Sequence, residues 1–175
     1  MGRKTISVLF YLMLVVYAVL MLNLLFRPEL ILDGNRWILR SYNLIPFRTI
    51  MEYSSPGVSR SVVVINLLGN IAVFIPYGLY LQVLRKTKGT GTGFLIVLGT
   101  SVLIEIIQFS LGVGVCDIDD VILNGIGGLL GILLYQVLLK FTGDQERVKT
   151  IVTVLSLLFG LPILLLLSAN HIRIG

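Results

Sequence analysis

Five apolar runs set the limits on what this chain can become, at about 5–26, 62–84, 94–111, 118–141 and 151–168. A hydrocarbon core about 30 Å thick takes roughly 20 helical residues to cross, and runs of this length read as membrane-spanning helices. The expected fold is an all-α integral membrane protein with five transmembrane helices, forming a single membrane domain over 1–175. Composition agrees: 56% of residues are hydrophobic and only 13% are charged, against about 25% charged in soluble domains.

Arg3 and Lys4 precede the first run in the manner of a signal peptide. The run exceeds a usual signal core and no A-x-A-like site ends it, so it reads as a retained span. Basic residues then orient the chain. With the N-terminus inside, Arg3, Lys4, Arg85, Lys86, Lys88, Lys140, Arg147 and Lys149 face inward, and Arg27, Arg36, Arg40, Arg48, Arg60 and Arg173 face outward. Every lysine falls inside and most arginines outside. Guanidinium groups suit bidentate capture of phosphate or carboxylate, so the outer arginines point to an anionic partner; anchoring to lipid headgroups is the plainer alternative. No nucleic acid need be invoked for the net charge of +5. The one long outer connection, Arg27 to Ser61, carries Trp37, Tyr42, Tyr53 and the apolar segment Asn43–Phe47. Aromatic rings favour the membrane interface, and Pro28, Pro46 and Pro56 argue against one continuous helix there.

Inside the spans, polar residues share one depth. Asn66 and Asn70 lie one turn apart, roughly 6 and 12 Å below the outer end of the second span at 1.5 Å per residue. Glu105 and Gln108 lie at a similar depth on the third, and Asp120 and Asn124 near the outer end of the fourth. Amides in lipid often serve only as hydrogen-bonding glue between helices. Glu105 adds an ionisable group, and such a group within a span is a functional-site hypothesis by default. A polar pocket opening outward is the expectation. Asp117, Asp119 and Asp120 admit two readings. Aspartates at a helix start cap free N–H groups and oppose the dipole; alternatively they offer oxygen ligands for Mg²⁺ or Ca²⁺, with Glu105 nearby. The Gly and Glu spacing of a calcium loop is missing.

Gly125, Gly127, Gly128 and Gly131 leave the fourth span nearly bare on one face, which suits close helix approach. Pro76 frees the carbonyl of Ala72 and should bend the second span. Other chemistries find no footing. The GTGTG after Lys88 lacks the following Lys-Ser/Thr of a phosphate loop. His171 is the only histidine, Ser110 bears no mark of activation, and the single Cys116 allows no internal disulfide and reads as a small packed side chain. No cofactor motif is evident.

The order of these features resembles the VanZ-like family of bacterial membrane proteins. The resemblance rests on YNLIPF at Tyr42–Phe47, NLLGNIAVFIPYGLYL at Asn66–Leu81, IEIIQ at Ile104–Gln108 and DIDDVILNGIGGLLG at Asp117–Gly131. The family pattern N-x-x-x-N-x-x-x-F-x-P-x-G falls on Asn66, Asn70, Phe74, Pro76 and Gly78. Its E-x-x-Q falls on Glu105 and Gln108, and its D-x-D-D-x-x-x-N-x-x-G on Asp117, Asp119, Asp120, Asn124 and Gly127. Many members carry a basic residue shortly before the first aspartate, where this chain has Gly114-Val115-Cys116; if that residue contacts a ligand, either Arg48 substitutes for it or this chain has lost the contact. The resemblance implies a VanZ-like core over about 42–135 and a multi-pass protein of the bacterial cell membrane. It also implies an association with glycopeptide resistance, notably to teicoplanin.

These readings converge on a site of Arg48, Asn66, Asn70, Glu105, Gln108, Asp119, Asp120 and Asn124. The expected ligand is an anionic amphiphile, a lipid-linked wall precursor or a lipoglycopeptide, held against membrane lipid. The alternative is a metal-assisted enzyme acting on lipid pyrophosphates, with Glu105, Asp117 and Asp120 as candidate catalytic groups and Asp117, Asp119 and Asp120 as candidate metal ligands. A small transporter is a further alternative; no inverted repeat supports it.

Overall fold

The computed structural model describes residues 2–26, 41–48, 51, 60–85 and 89–174, with residues 60–63 and 164–174 described as backbone alone. Among these, five helices dominate: α1 (Arg3–Phe26), α2 (Arg60–Leu84), α3 (Thr90–Leu111), α4 (Ile118–Thr142) and α5 (Gln145–Ile174). Four of them, α1, α2 from Val64, α3 and α4, are long and apolar enough to cross a membrane. Helix is the economical choice for such runs, because in lipid each backbone N–H and C=O must find its partner within the segment. The fifth expected run, 151–168, lies inside α5, whose side chains are described only as far as Ile163.

One feature escapes an all-helical description. Two-residue strands β1 (Tyr42–Asn43) and β2 (Cys116–Asp117) pair in parallel, Tyr42 with Cys116 and Asn43 with Asp117. Of the long connection expected over 27–61, only residues 41–48, 51, 60 and 61 are described. Arg27, Arg36, Trp37, Arg40 and Tyr53 lie outside the described residues, as do Lys86 and Lys88; the side chains of Arg60, His171 and Arg173 also lie outside them.

The chain forms two compact units. Residues 1–25 and 135–175 make one, residues 26–134 the other, so α4 contributes to both and changes unit at Tyr135. In the first, Lys149 of α5 donates to the Ser7 hydroxyl of α1 at 2.9 Å and lies over the rings of Phe10 and Tyr11, 5.2 and 5.5 Å from their centroids. Phe10, Met13, Val148 and Val152 are its buried apolar residues nearby.

The second unit is built on glycine. A Cβ added to Gly127 would land on the Ile71 carbonyl, one on Gly131 on the Ile75 carbonyl, and one on Gly78 on the Gly128 carbonyl. From the pair Ile71–Gly127 to the pair Ile75–Gly131 the numbers rise together, so α2 and α4 run parallel. Against α3 the order reverses: Gly125 meets Leu98 and Gly128 meets Val97, so α3 runs antiparallel to both. Small residues let backbones approach this closely where lipid supplies no hydrophobic drive between helices. Outward from this seam, Ile65, Leu68, Leu95, Leu103, Ile106 and Leu133 are exposed. That surface is one that water disfavours and acyl chains would solvate.

α3 ends in a Schellman motif. Gly112 takes the left-handed conformation (φ 63°), its N–H bonds Phe109 O at 3.1 Å, and the N–H of Val113 reaches Gln108 O at 3.0 Å. The chain thereby turns within a few residues to begin β2 and α4. This turn brings the acidic residues of the two helices together.

Candidate functional site: a buried carboxylate cluster

All the groups of this site belong to the unit of residues 26–134. Its centre is Glu105, 3% exposed on α3. The Glu105 Oε2 accepts the backbone N–H of Asp117 at 3.0 Å, tying the end of α3 to the start of α4. Asp117 precedes the first residue of α4, and its Oδ1 accepts the N–H of Asp119 at 2.9 Å. That is an N-cap, with the side chain satisfying one of the free donors of the first turn. The same oxygen also accepts from the Asn43 amide at 3.2 Å.

The other two aspartates reach to other segments. Asp119, 1% exposed, accepts the backbone N–H of Phe47. Asp120 accepts the side-chain amide of Asn70 on α2. Capping thus accounts for one of the three, while the second holds the outer loop and the third ties α4 to α2. Asp117 and Asp120 also lie within electrostatic range of Glu105. A carboxylate taken from water needs such donors or a compensating charge, or the fold would not tolerate it.

The loop 41–48 is fastened at several points. The Cys116 N–H donates to Ser41 O at 3.1 Å, and the Asn43 Oδ1 accepts the N–H of Ile45 at 3.3 Å in an Asx turn. Phe47 holds a left-handed φ of 65°, a conformation costing an L-residue about 1–2 kcal/mol. The loop's hydrogen bond to Asp119 offsets that strain. Asp117→Ala should therefore be felt twice, through the lost cap and the lost Asn43 contact. It is expected to lower stability by about 2 kcal/mol, the upper end for a cap, read as a fall in Tm of the detergent-solubilised protein. The Cys116 thiol, half-buried beside this bridge, is pushed up from its ordinary pKa, chiefly by burial and further by the charges of Glu105 and Asp117. It stays protonated at neutral pH and packs as a small side chain.

Of the residues expected at the site, Asn70, Glu105, Asp117, Asp119 and Asp120 come together. Asn124, 2% exposed, lies one turn deeper on α4 and donates to the Ser101 hydroxyl of α3 at 3.0 Å. Arg48 directly follows Phe47, is exposed, and bonds Ile45 O through its backbone N–H at 3.3 Å, so it stands at the rim of the cluster. Asn66 is exposed one turn from Asn70, and Gln108 is half-buried just beyond Glu105. Sequence reasoning missed Asn43, Ser101 and the main chain of Phe47. Asn43 lies within the Tyr42–Phe47 segment that carried the family resemblance, which was the available signal. Ser101 precedes Glu105 by four residues, one helical turn, and nothing in its type distinguished it. Among the described residues, no group of three or more His, Cys, Asp or Glu is placed to hold a metal ion. The aspartates accept from nitrogen donors.

Helices α2, α3 and α4 hold the carboxylate cluster between them, and with α1 the described residues include four helices long and apolar enough to cross a membrane; these features define a helical protein of the membrane class. The chain belongs to the VanZ/LLP1 family, whose model matches residues 8–139 and so covers every residue of the cluster. Protein VanZ of Enterococcus faecium is 36% identical over 136 residues, 78% of this chain and 76% of that protein. No solved structure matches the chain.

Proposed function

We propose that this is a multi-pass protein of the bacterial cell membrane that binds an anionic amphiphile at the outer end of α2, α3 and α4. The ligand class is a lipid-linked wall precursor or a lipoglycopeptide. Binding contributes to glycopeptide resistance, as to teicoplanin, or to envelope maintenance. The observation that carries the reading is the cluster of buried Glu105, Asp117 and Asp119 with half-buried Asp120 at the α3–α4 turn, and Arg48 at its rim. With five spans and the N-terminus inside, that turn faces outward, where such ligands reside. The carboxylates are acceptors suited to hydroxyl, amide and amine groups of a glycan or peptide headgroup. Arg48 suits the anionic group. Family membership supports the resistance role.

The purified protein in lipid nanodiscs, titrated with teicoplanin and separately with a lipid-pyrophosphate-linked disaccharide precursor, tests this. Saturable binding of at least one is expected. Arg48→Ala should weaken it by roughly tenfold or more, the worth of a hydrogen bond to a charged group. Absence of saturable binding to both probes overturns the reading.

A further inference from the structure

One helical turn below the carboxylates, Ser101 and Asn124 close the space between α3 and α4. Asn124 follows Asp120 by four residues and Ser101 precedes Glu105 by four, so the two pairs face each other across the seam. Ser101 is 0% exposed and Asn124 is 2% exposed. The amide nitrogen of Asn124 donates to the serine hydroxyl, but its carbonyl oxygen Oδ1 has no hydrogen-bond partner. A buried acceptor without a donor forfeits the hydrogen bond that water would have given it. Helical side chains lean toward the N-terminus of their helix. For Asn124 that direction leads to Asp120, one turn back on the same helix face, so its unpaired acceptor is buried within a turn of the cluster.

Three acceptors on two adjoining helices thus lie within one helical turn of the hydrogen bond between Asn124 and Ser101: the Asn124 carbonyl and the carboxylates of Glu105 and Asp120. Each carboxylate has one oxygen engaged, by the Asp117 N–H and by the Asn70 amide, and each accepts further donors. The complement of this set carries positive charge and several donors but no acceptor. A hydroxyl brings one donor and leaves the charge uncompensated. A guanidinium is a planar fork that matches one carboxylate edge. A primary ammonium offers three donors in a tetrahedral spread.

We infer that Glu105, Asp120 and Asn124 form a subsite for a primary ammonium group, the amine of an amphiphile whose anionic group lies toward Arg48. The inference rests on the amphiphile-binding reading above and names the cationic half of the ligand. Phosphatidylethanolamine and phosphatidylcholine are the discriminating probes. Both carry the phosphate and the positive charge, but N-methylation removes every N–H donor.

The full chain is reconstituted in nanodiscs containing the two lipids in equal amounts, re-extracted, and its retained lipid measured by mass spectrometry. The unmodified protein is expected to enrich phosphatidylethanolamine about tenfold over phosphatidylcholine, as a charged hydrogen bond would give. Glu105→Gln and Asn124→Leu should bring the ratio close to one. The comparison within the unmodified protein needs no variant to fold. Equal retention of the two lipids, or retention of neither, overturns the ammonium subsite; teicoplanin binding in the separate titration would leave the amphiphile reading standing. Stabilisation of the lipid-free protein by sodium chloride over choline chloride, lost in Glu105→Gln, would assign the subsite to an inorganic cation and overturn the inference too. Full enrichment persisting in both variants would place the lipid elsewhere.

Discussion

Gly127→Ala is expected to destabilise the protein by about 1–3 kcal/mol, and Gly127→Ala with Gly131→Ala by more than either alone. The new methyl group at Gly127 would land on the Ile71 carbonyl, and that at Gly131 on the Ile75 carbonyl. Both obstacles are backbone, which cannot rotate away as a side chain would, so α2 and α4 must move apart. The first turns of α4 carry Asp119 and Asp120, and Asp120 meets Asn70 on α2. Separation therefore strains the site as well as the seam. Gly99 is the internal control: it lies on α3 with nothing within 4 Å of an added Cβ. There alanine should be neutral or stabilising by up to about 1 kcal/mol, since it simply replaces a poor helix former. Thermal unfolding in detergent reads both. Equal tolerance at Gly127 and Gly99 would mean that the glycine seam does not hold the helices together.

The helices and the glycine seam were open to sequence reasoning because each follows from a local pattern. Apolar runs of about 20 residues have one economical backbone in lipid, and Gly127 with Gly131 presents small residues at helical spacing. The site was legible in part for the same reason. Asn70, Glu105 and Asp120 were placed by helix rise alone, and Asn70 and Asp120 do meet. The rest depended on pairing distant segments. The bridge of Tyr42–Asn43 to Cys116–Asp117 joins two strands, each two residues long and with no periodicity to read. Nothing local to Asn43 says that its partner is Asp117. The three aspartates show the same limit: composition marks them as a group, but three different neighbours give them three different tasks. Asn66 and Gln108 share the spacing of the pairs, yet Asn66 is exposed and Gln108 half-buried. Spacing fixes the helix face of a residue, not what stands opposite.

Glu105→Gln and Asp120→Asn are each expected to reduce any resistance that the protein confers to the level of cells without it, while the protein still accumulates in the membrane. Both replacements keep the size and one acceptor oxygen of the original side chain. The Asp117 N–H can still donate to the amide oxygen at 105, and the Asn70 amide to that at 120, so the α3–α4 and α2–α4 ties survive. What disappears is the negative charge. The partners of both acids are neutral N–H donors, and a buried charge costs free energy that the neutral amide does not, so Tm should hold or rise. A structural role for these acids predicts the opposite pairing, stability falling along with function. The susceptibility of cells expressing each variant, measured beside membrane abundance and Tm, separates the two. Resistance undiminished in both variants would show that the charge of this cluster is not what the protein uses, and the ligand would have to be sought at another face.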